Sequence, residues 1–124
     1  MYKPVALVIE DHESVREVLS TALRRMGCTV LSEADGDAGL RTARTAKPDL
    51  VLVDMRLPGL DGLSLVDQVR RSFSTKPPAV IVLTGYASAN RRDQVLAGGG
   101  DAFFEKPVDL GELERTVSSL LKRS

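Results

Sequence analysis

Groups that can do chemistry together stand at the ends of apolar runs in this chain. Glu10-Asp11 follows VALVI (5–9), Asp54 follows LVLV (50–53), Thr84 closes AVIVLT (79–84), and Lys106-Pro107 follows DAFFE (101–105). A carboxylate at the edge of a core costs free energy unless it is paired or used. Brought together, three carboxylates, a hydroxyl and an ammonium group suit a hard divalent cation and a phosphoryl group. The carboxylates repel one another, and a cation with oxygen ligands relieves that conflict; Mg²⁺ accepts one or two carboxylates plus waters and phosphate oxygens. Beside such a cation Asp54 can act as a nucleophile towards phosphorus and form an aspartyl phosphate. Phosphoryl transfer needs mainly positioning and charge neutralisation, which Lys106 and a hydrogen bond from Thr84 would supply. Crowding of this kind predicts that Asp54→Asn raises the stability of the metal-free chain by on the order of 1 kcal/mol.

The elements that must position these groups are legible in the apolar periodicity. Three runs, 5–9, 50–53 and 79–84, are unbroken and rich in Val, Ile and Leu, as in strands buried on both faces of a parallel sheet. CTVLSEA (28–34) and DAFFE (101–105) complete five strands. Between them, Val15, Val18, Leu19, Ala22, Leu23 and Met26 follow a helical stripe that Gly27 stops. Leu63, Leu65, Val66 and Val69 begin another after Asp61-Gly62. Leu110, Leu113, Val117, Leu120 and Leu121 fill the last, and 37–46 and 88–97 are weaker helices. The alternation predicts an α/β three-layer domain with right-handed crossovers, whose sites form at the carboxyl ends of the strands.

Composition sets the outer limits. The 124 residues, 43% hydrophobic and 27% charged, predict one domain over 1–124 with a sizeable core. Zero net charge argues against broad electrostatic binding to nucleic acid or anionic membrane. One cysteine, Cys28, cannot form an internal disulfide and reads as a small apolar residue beside strand two. No apolar run approaches the ~20 residues that span a bilayer, and no signal-peptide pattern opens the chain, so a cytoplasmic location is expected.

The segments VIEDHESV, LVLVDMRLPGLDGL, IVLTGYAS and GGGDAFFEKPVDLGEL together resemble the receiver domain of bacterial two-component response regulators, in that family's order and over essentially the whole chain. The resemblance implies a flavodoxin-like (βα)5 sandwich with a five-stranded parallel sheet of order 2-1-3-4-5. It implies Asp54 as phosphoacceptor, Glu10 and Asp11 as the acidic pair for Mg²⁺ (or Mn²⁺), and the Arg56 backbone carbonyl as a further ligand. Thr84 and Lys106 match the switch and phosphate-binding positions, Phe103 the aromatic that changes rotamer, and Pro107 the residue after a cis bond. The implied protein is a signalling phosphoacceptor, not an enzyme with an external substrate. Its partners would be a histidine kinase or phosphotransfer protein upstream. Downstream, a protein or an attached output domain would read the surface of the fourth helix, fifth strand and fifth helix, and a weak homodimer is compatible with that surface.

Some positions depart from the pattern. Arg56 is long and cationic and Tyr86 bulky at positions that tune access of the hydrolytic water. Thr116 stands where the winged-helix subfamily carries an arginine used in dimerisation. Other assignments are plainer. Asp61 reads as a turn and helix cap, Asp49 as a loop carboxylate, His12 as the start of a loop, and the arginine pairs as solvated helix faces. Rival readings are a phosphorylation-independent binding module, a Mg²⁺-dependent aspartate-nucleophile phosphohydrolase and a flavodoxin-like nucleotide binder. The phosphohydrolase needs an acid where Arg56 stands, and Glu10-Asp11 would repel a nucleotide phosphate without a metal.

Overall fold

The computed structural model describes residues 3–57, 61–73, 76–85 and 89–122. Strands and helices alternate: β1 (Val5–Ile9), α1 (Glu13–Arg25), β2 (Thr29–Glu33), α2 (Gly36–Ala46), β3 (Leu50–Asp54), α3 (Gly62–Arg71), β4 (Ala79–Thr84), α4 (Ala89–Ala97), β5 (Ala102–Glu105) and α5 (Leu110–Lys122). All strand pairs are parallel and the sheet order is β2-β1-β3-β4-β5. The continuous Val/Ile/Leu runs become the three central strands, and the mixed runs become edges: β3 is buried throughout, whereas β2 and β5 are partly exposed.

Side-chain alternation divides the core into two layers. Leu7, Ile9, Val51, Val53, Val80 and Val82 pack with residues of α2, α3 and α4. Ala6, Val8, Leu50, Leu52, Ile81 and Leu83 pack with Leu19 and Leu23 of α1 and Leu113 and Val117 of α5. Two expected core positions are exposed instead, Val18 at 52% and Leu110 at 38%. Val18 lies at the margin of the α1 stripe and Leu110 opens α5, so neither reaches the sheet, and both line one shallow groove between the two helices.

Local chemistry sets the ends of the elements. Asp35 accepts a hydrogen bond from the Ala38 N–H (2.8 Å) and Asp61 from that of Leu63 (3.4 Å), as N-cap residues do. Gly27, at φ +95°, reverses the chain after α1 in a conformation that other residues adopt only under strain. At the amino edge of the sheet, Asp49 accepts from the Val5 N–H and Asp101 from the Val80 N–H, both at 2.8 Å. Asp49, expected as a mere loop carboxylate, thus ties the start of a neighbouring strand. Cys28 is buried just ahead of β2, which begins one residue later than expected.

Two measurements follow from this packing. A Cβ on Gly62 would sit 2.6 Å from the Met55 Cα, so Gly62→Ala is expected to destabilise by about 2–3 kcal/mol in urea unfolding. Gly111→Ala, whose Cβ would meet only side chains at 3.3 Å or more, should change little or stabilise. Burial, followed by the charge of Asp49, pushes the Cys28 thiol up. Iodoacetamide at about pH 8 should therefore leave Cys28 unmodified in the folded chain and alkylate it in denaturant.

Candidate functional site

The register of β1 on β3, with Ile9 beside Val53, carries Glu10 level with Asp54 at the carboxyl edge. Both residues continue the phase of Val8 and Leu52, on the α1/α5 side. Glu10 is fully buried and Asp54 is 4% exposed, as the last residue of β3 and not the first beyond it. Their ligand atoms, with those of Asp11 and His12, lie within 4.8 Å of one another. The oxygens of Glu10, Asp11 and Asp54 form a hard donor set that fits a divalent cation such as Mg²⁺ or Mn²⁺.

Lys106 enters from the other side. Its backbone N–H donates to the Thr84 carbonyl (2.7 Å), extending the β4–β5 ladder one step beyond Glu105. Its Nζ then donates to Glu10 Oε1 through a short hydrogen bond and to Asp54 Oδ2 at 3.1 Å. The Lys106–Pro107 peptide bond is cis, as expected. Asp54 Oδ1 accepts from the Arg56 N–H (3.2 Å), and Glu10 Oε2 from the His12 N–H (3.1 Å). Every polar side-chain atom buried here has a partner among the described residues.

Electrostatics follow from this arrangement. Burial pushes the Glu10 carboxyl above its ordinary range, and Asp11 and Asp54 add to that, outweighing the opposite pull of Lys106 and the His12 N–H. Burial alone would lower the Lys106 ammonium, but its bonds to Glu10 and Asp54 raise it. Burial lifts the Asp11 carboxyl, but Glu10, His12, its own backbone N–H and Lys106 together bring it below its ordinary value. Lys106 neutralises part of the expected crowding, and what remains still lifts Glu10. Asp54→Asn removes an ion pair as well as a repulsion, and urea unfolding of the metal-free chain reads which of the two is larger.

Thr84 is fully buried at the end of β4, in the phase of Val80 and Val82, and so belongs to the α4 side of the sheet. Phe103 is half-buried and packs against the same layer. Arg56 is exposed and Tyr86 lies outside the described residues. Sequence reasoning passed over one neighbour, Arg16, and read another, Arg91, as part of a solvated helix face. Arg16 donates to the Glu10 carbonyl (2.8 Å), a contact its i+6 spacing from Glu10 on α1 does not announce. Arg91 of α4 reaches Met55 Sδ at 3.6 Å, beside Asp54, which only the packing of α4 reveals.

The comparisons agree with this fold. The family model described as response regulator receiver domain matches residues 6–118. The chain is 37% identical over 120 residues to the transcriptional activator protein PfeR of Pseudomonas aeruginosa, covering 97% of this chain and 38% of that protein. It is 36% identical over 120 residues to the alkaline phosphatase synthesis transcriptional regulatory protein PhoP of Bacillus subtilis, covering 95% and 48%. The receiver domain of the Francisella response regulator 1452 superposes with a TM-score of 0.90 at 28% identity over 98% of each chain. The chain belongs to the response regulator receiver family of two-component signalling. It spans half or less of the length of these curated relatives. Among the described residues no helix is long and apolar enough to cross a membrane.

Removing the shared cation should be costly. Lys106→Met leaves Glu10 and Asp54 buried without their common partner, a loss of roughly 3 kcal/mol. Unfolding in urea without metal should show it, and added Mg²⁺ should recover more stability in this variant than in the parent chain.

Proposed function

We propose that this domain is a phosphoacceptor switch in which Asp54 takes a phosphoryl group from a histidine kinase or histidine phosphotransfer protein. One observation carries the reading: Glu10, Asp11 and Asp54 meet at the carboxyl edge of the sheet with Lys106 bonded across Glu10 and Asp54. A divalent cation held by Glu10, Asp11, Asp54 and the Arg56 carbonyl would supply the charge that screens Asp54 from the incoming phosphoryl group. An Asp54 carboxylate oxygen forms the new O–P bond as the P–N bond to the donor imidazole breaks, and the released imidazole takes a proton. Lys106, already bonded to Asp54, moves onto the phosphoryl oxygens without crossing solvent. Arg56, exposed beside the acceptor, sits where it influences entry of the hydrolysing water, the role also assigned to Tyr86.

The added charge, about −1.5 to −2, draws the Thr84 hydroxyl towards the edge. Thr84 and Phe103 share the α4 layer, so a move of one frees space for the other and biases the α4–β5–α5 surface. That surface forms a groove lined by Arg92, Leu96, Phe103, Phe104, Glu105 and Glu112, where an output partner or attached domain would read the state. Thr116 also lines it, which disfavours a dimer that depends on an arginine there.

Intact mass after incubation with acetyl phosphate tests the reading. A single phosphoryl adduct is expected that requires Mg²⁺ and is missing from Asp54→Asn. No adduct with acetyl phosphate or a phosphorylated histidine donor would favour a binding module that works without phosphorylation.

A further inference from the structure

His12 occupies a position where its side chain has an ordinary task that it does not perform. It is the N-cap of α1, at φ −81° and ψ 116°, where Ser, Thr, Asp or Asn would accept a hydrogen bond from the first turn. The imidazole makes no such bond. Its Nδ1 instead lies 3.4 Å from Glu10 Oε2 and 3.3 Å from Asp11 Oδ1. The backbone keeps it there, because the His12 N–H donates to that same Glu10 oxygen and Arg16 holds the Glu10 carbonyl. The side chain is 68% exposed, so no packing demand accounts for an imidazole here.

We propose that His12 is a nitrogen donor of the divalent-cation site, and that the site consequently prefers nitrogen-seeking transition ions such as Co²⁺ and Ni²⁺ over Mg²⁺. The inference rests on the reading of Glu10, Asp11 and Asp54 as that site. Its ground is that Nδ1 belongs to the same set of ligand atoms, all within 4.8 Å. Oxygen-only sites bind along the divalent series with modest differences, whereas an imidazole steepens the rise from Mn²⁺ to Ni²⁺ and adds nothing for Mg²⁺, which prefers oxygen and water. One residue type at one position would thus change which ion the edge holds when several are present, with the phosphoacceptor untouched.

The chain has a single histidine, so the readout is unambiguous in an untagged protein. Calorimetric titrations with Mg²⁺, Co²⁺ and Ni²⁺ would compare the parent chain, His12→Ala and Asp54→Asn, with the imidazole proton resonances followed by NMR. The expected result is that Co²⁺ and Ni²⁺ bind more tightly than Mg²⁺, compete with it, and shift or broaden the His12 resonances. His12→Ala should cost about tenfold or more in Co²⁺ and Ni²⁺ affinity while leaving Mg²⁺ nearly unchanged. Equal Ni²⁺ affinity in the parent and His12→Ala would overturn the proposal. So would Ni²⁺ binding that depends on His12 but neither competes with Mg²⁺ nor weakens in Asp54→Asn, since His12 would then serve a separate surface site. Failure of Mg²⁺ to bind the parent chain, with His12-dependent Ni²⁺ binding that ignores Asp54, would overturn both this proposal and the reading it rests on. Mg²⁺ binding that Asp54→Asn abolishes, beside a Ni²⁺ affinity indifferent to His12, would overturn this proposal alone.

Discussion

Two carboxylates that would each be costly to bury share one ammonium group. Glu10 and Asp54 end adjacent strands, and Lys106 arrives from the far edge of the sheet to donate to both. Desolvating the ions costs several kcal/mol each, and their attraction offsets this only with good geometry and satisfied lone pairs. Here the remaining oxygens accept from the His12 and Arg56 N–H groups, so the backbone completes what Lys106 begins. The path of the chain after β5 is constrained by the same requirement, because Lys106 must leave the ladder at the step where its N–H still bonds Thr84. An acidic edge that is stable without a ligand, yet open to one, depends on this arrangement.

Strand alternation then sorts the remaining groups. Glu10 and Asp54 follow the phase that faces α1 and α5, while Thr84 and Phe103 follow the phase that faces α4. The acidic pair and the Thr84–Phe103 pair therefore occupy opposite faces of one sheet, joined at its rim. The joint is short: Lys106 belongs to the acidic group by its side chain and to Thr84 by its backbone. Under the function proposed above, a change of charge at Asp54 would act on a residue one hydrogen bond removed from the α4 layer, with no long chain of intermediates needed.

Much of this was legible in the sequence, for identifiable reasons. Unbroken Val/Ile/Leu runs announce central parallel strands, and the residue that ends each run announces an edge position, so Glu10, Asp11, Asp54, Thr84 and Lys106 could be named together. Strand order could not be read from periodicity, since any order buries the same faces; the family resemblance carried it. That Lys106 would bring positive charge to the edge was legible, but its bonds to both Glu10 and Asp54 were not, because charge type at a strand end does not reveal how far a side chain reaches. Val18 and Leu110 show the reverse error, in which helical spacing is correct but the element ends or rotates before the residue meets the sheet. His12 read as the start of a loop, and the structure places it at the N-cap of α1 with its imidazole beside Glu10 and Asp11, a direction that one residue without periodicity does not announce.

The opposite edge of the sheet handles its acids differently. Asp49 and Asp101 are each bonded to the first or second N–H of a neighbouring strand, Val5 and Val80, and Asp101 also holds Arg70 at 2.7 Å. Acids at that end are committed to the backbone, and acids at the other end remain addressable. The domain thus has an anchored end and a working end, like a lever fixed at one side. Inherited change at the anchored end acts through the folded fraction, and so through how much protein a cell keeps, while the arrangement of groups at the other end stays the same. Abundance and the chemistry proposed for the acidic end could drift separately in such a molecule, because the sheet keeps the two sets of residues a full strand length apart.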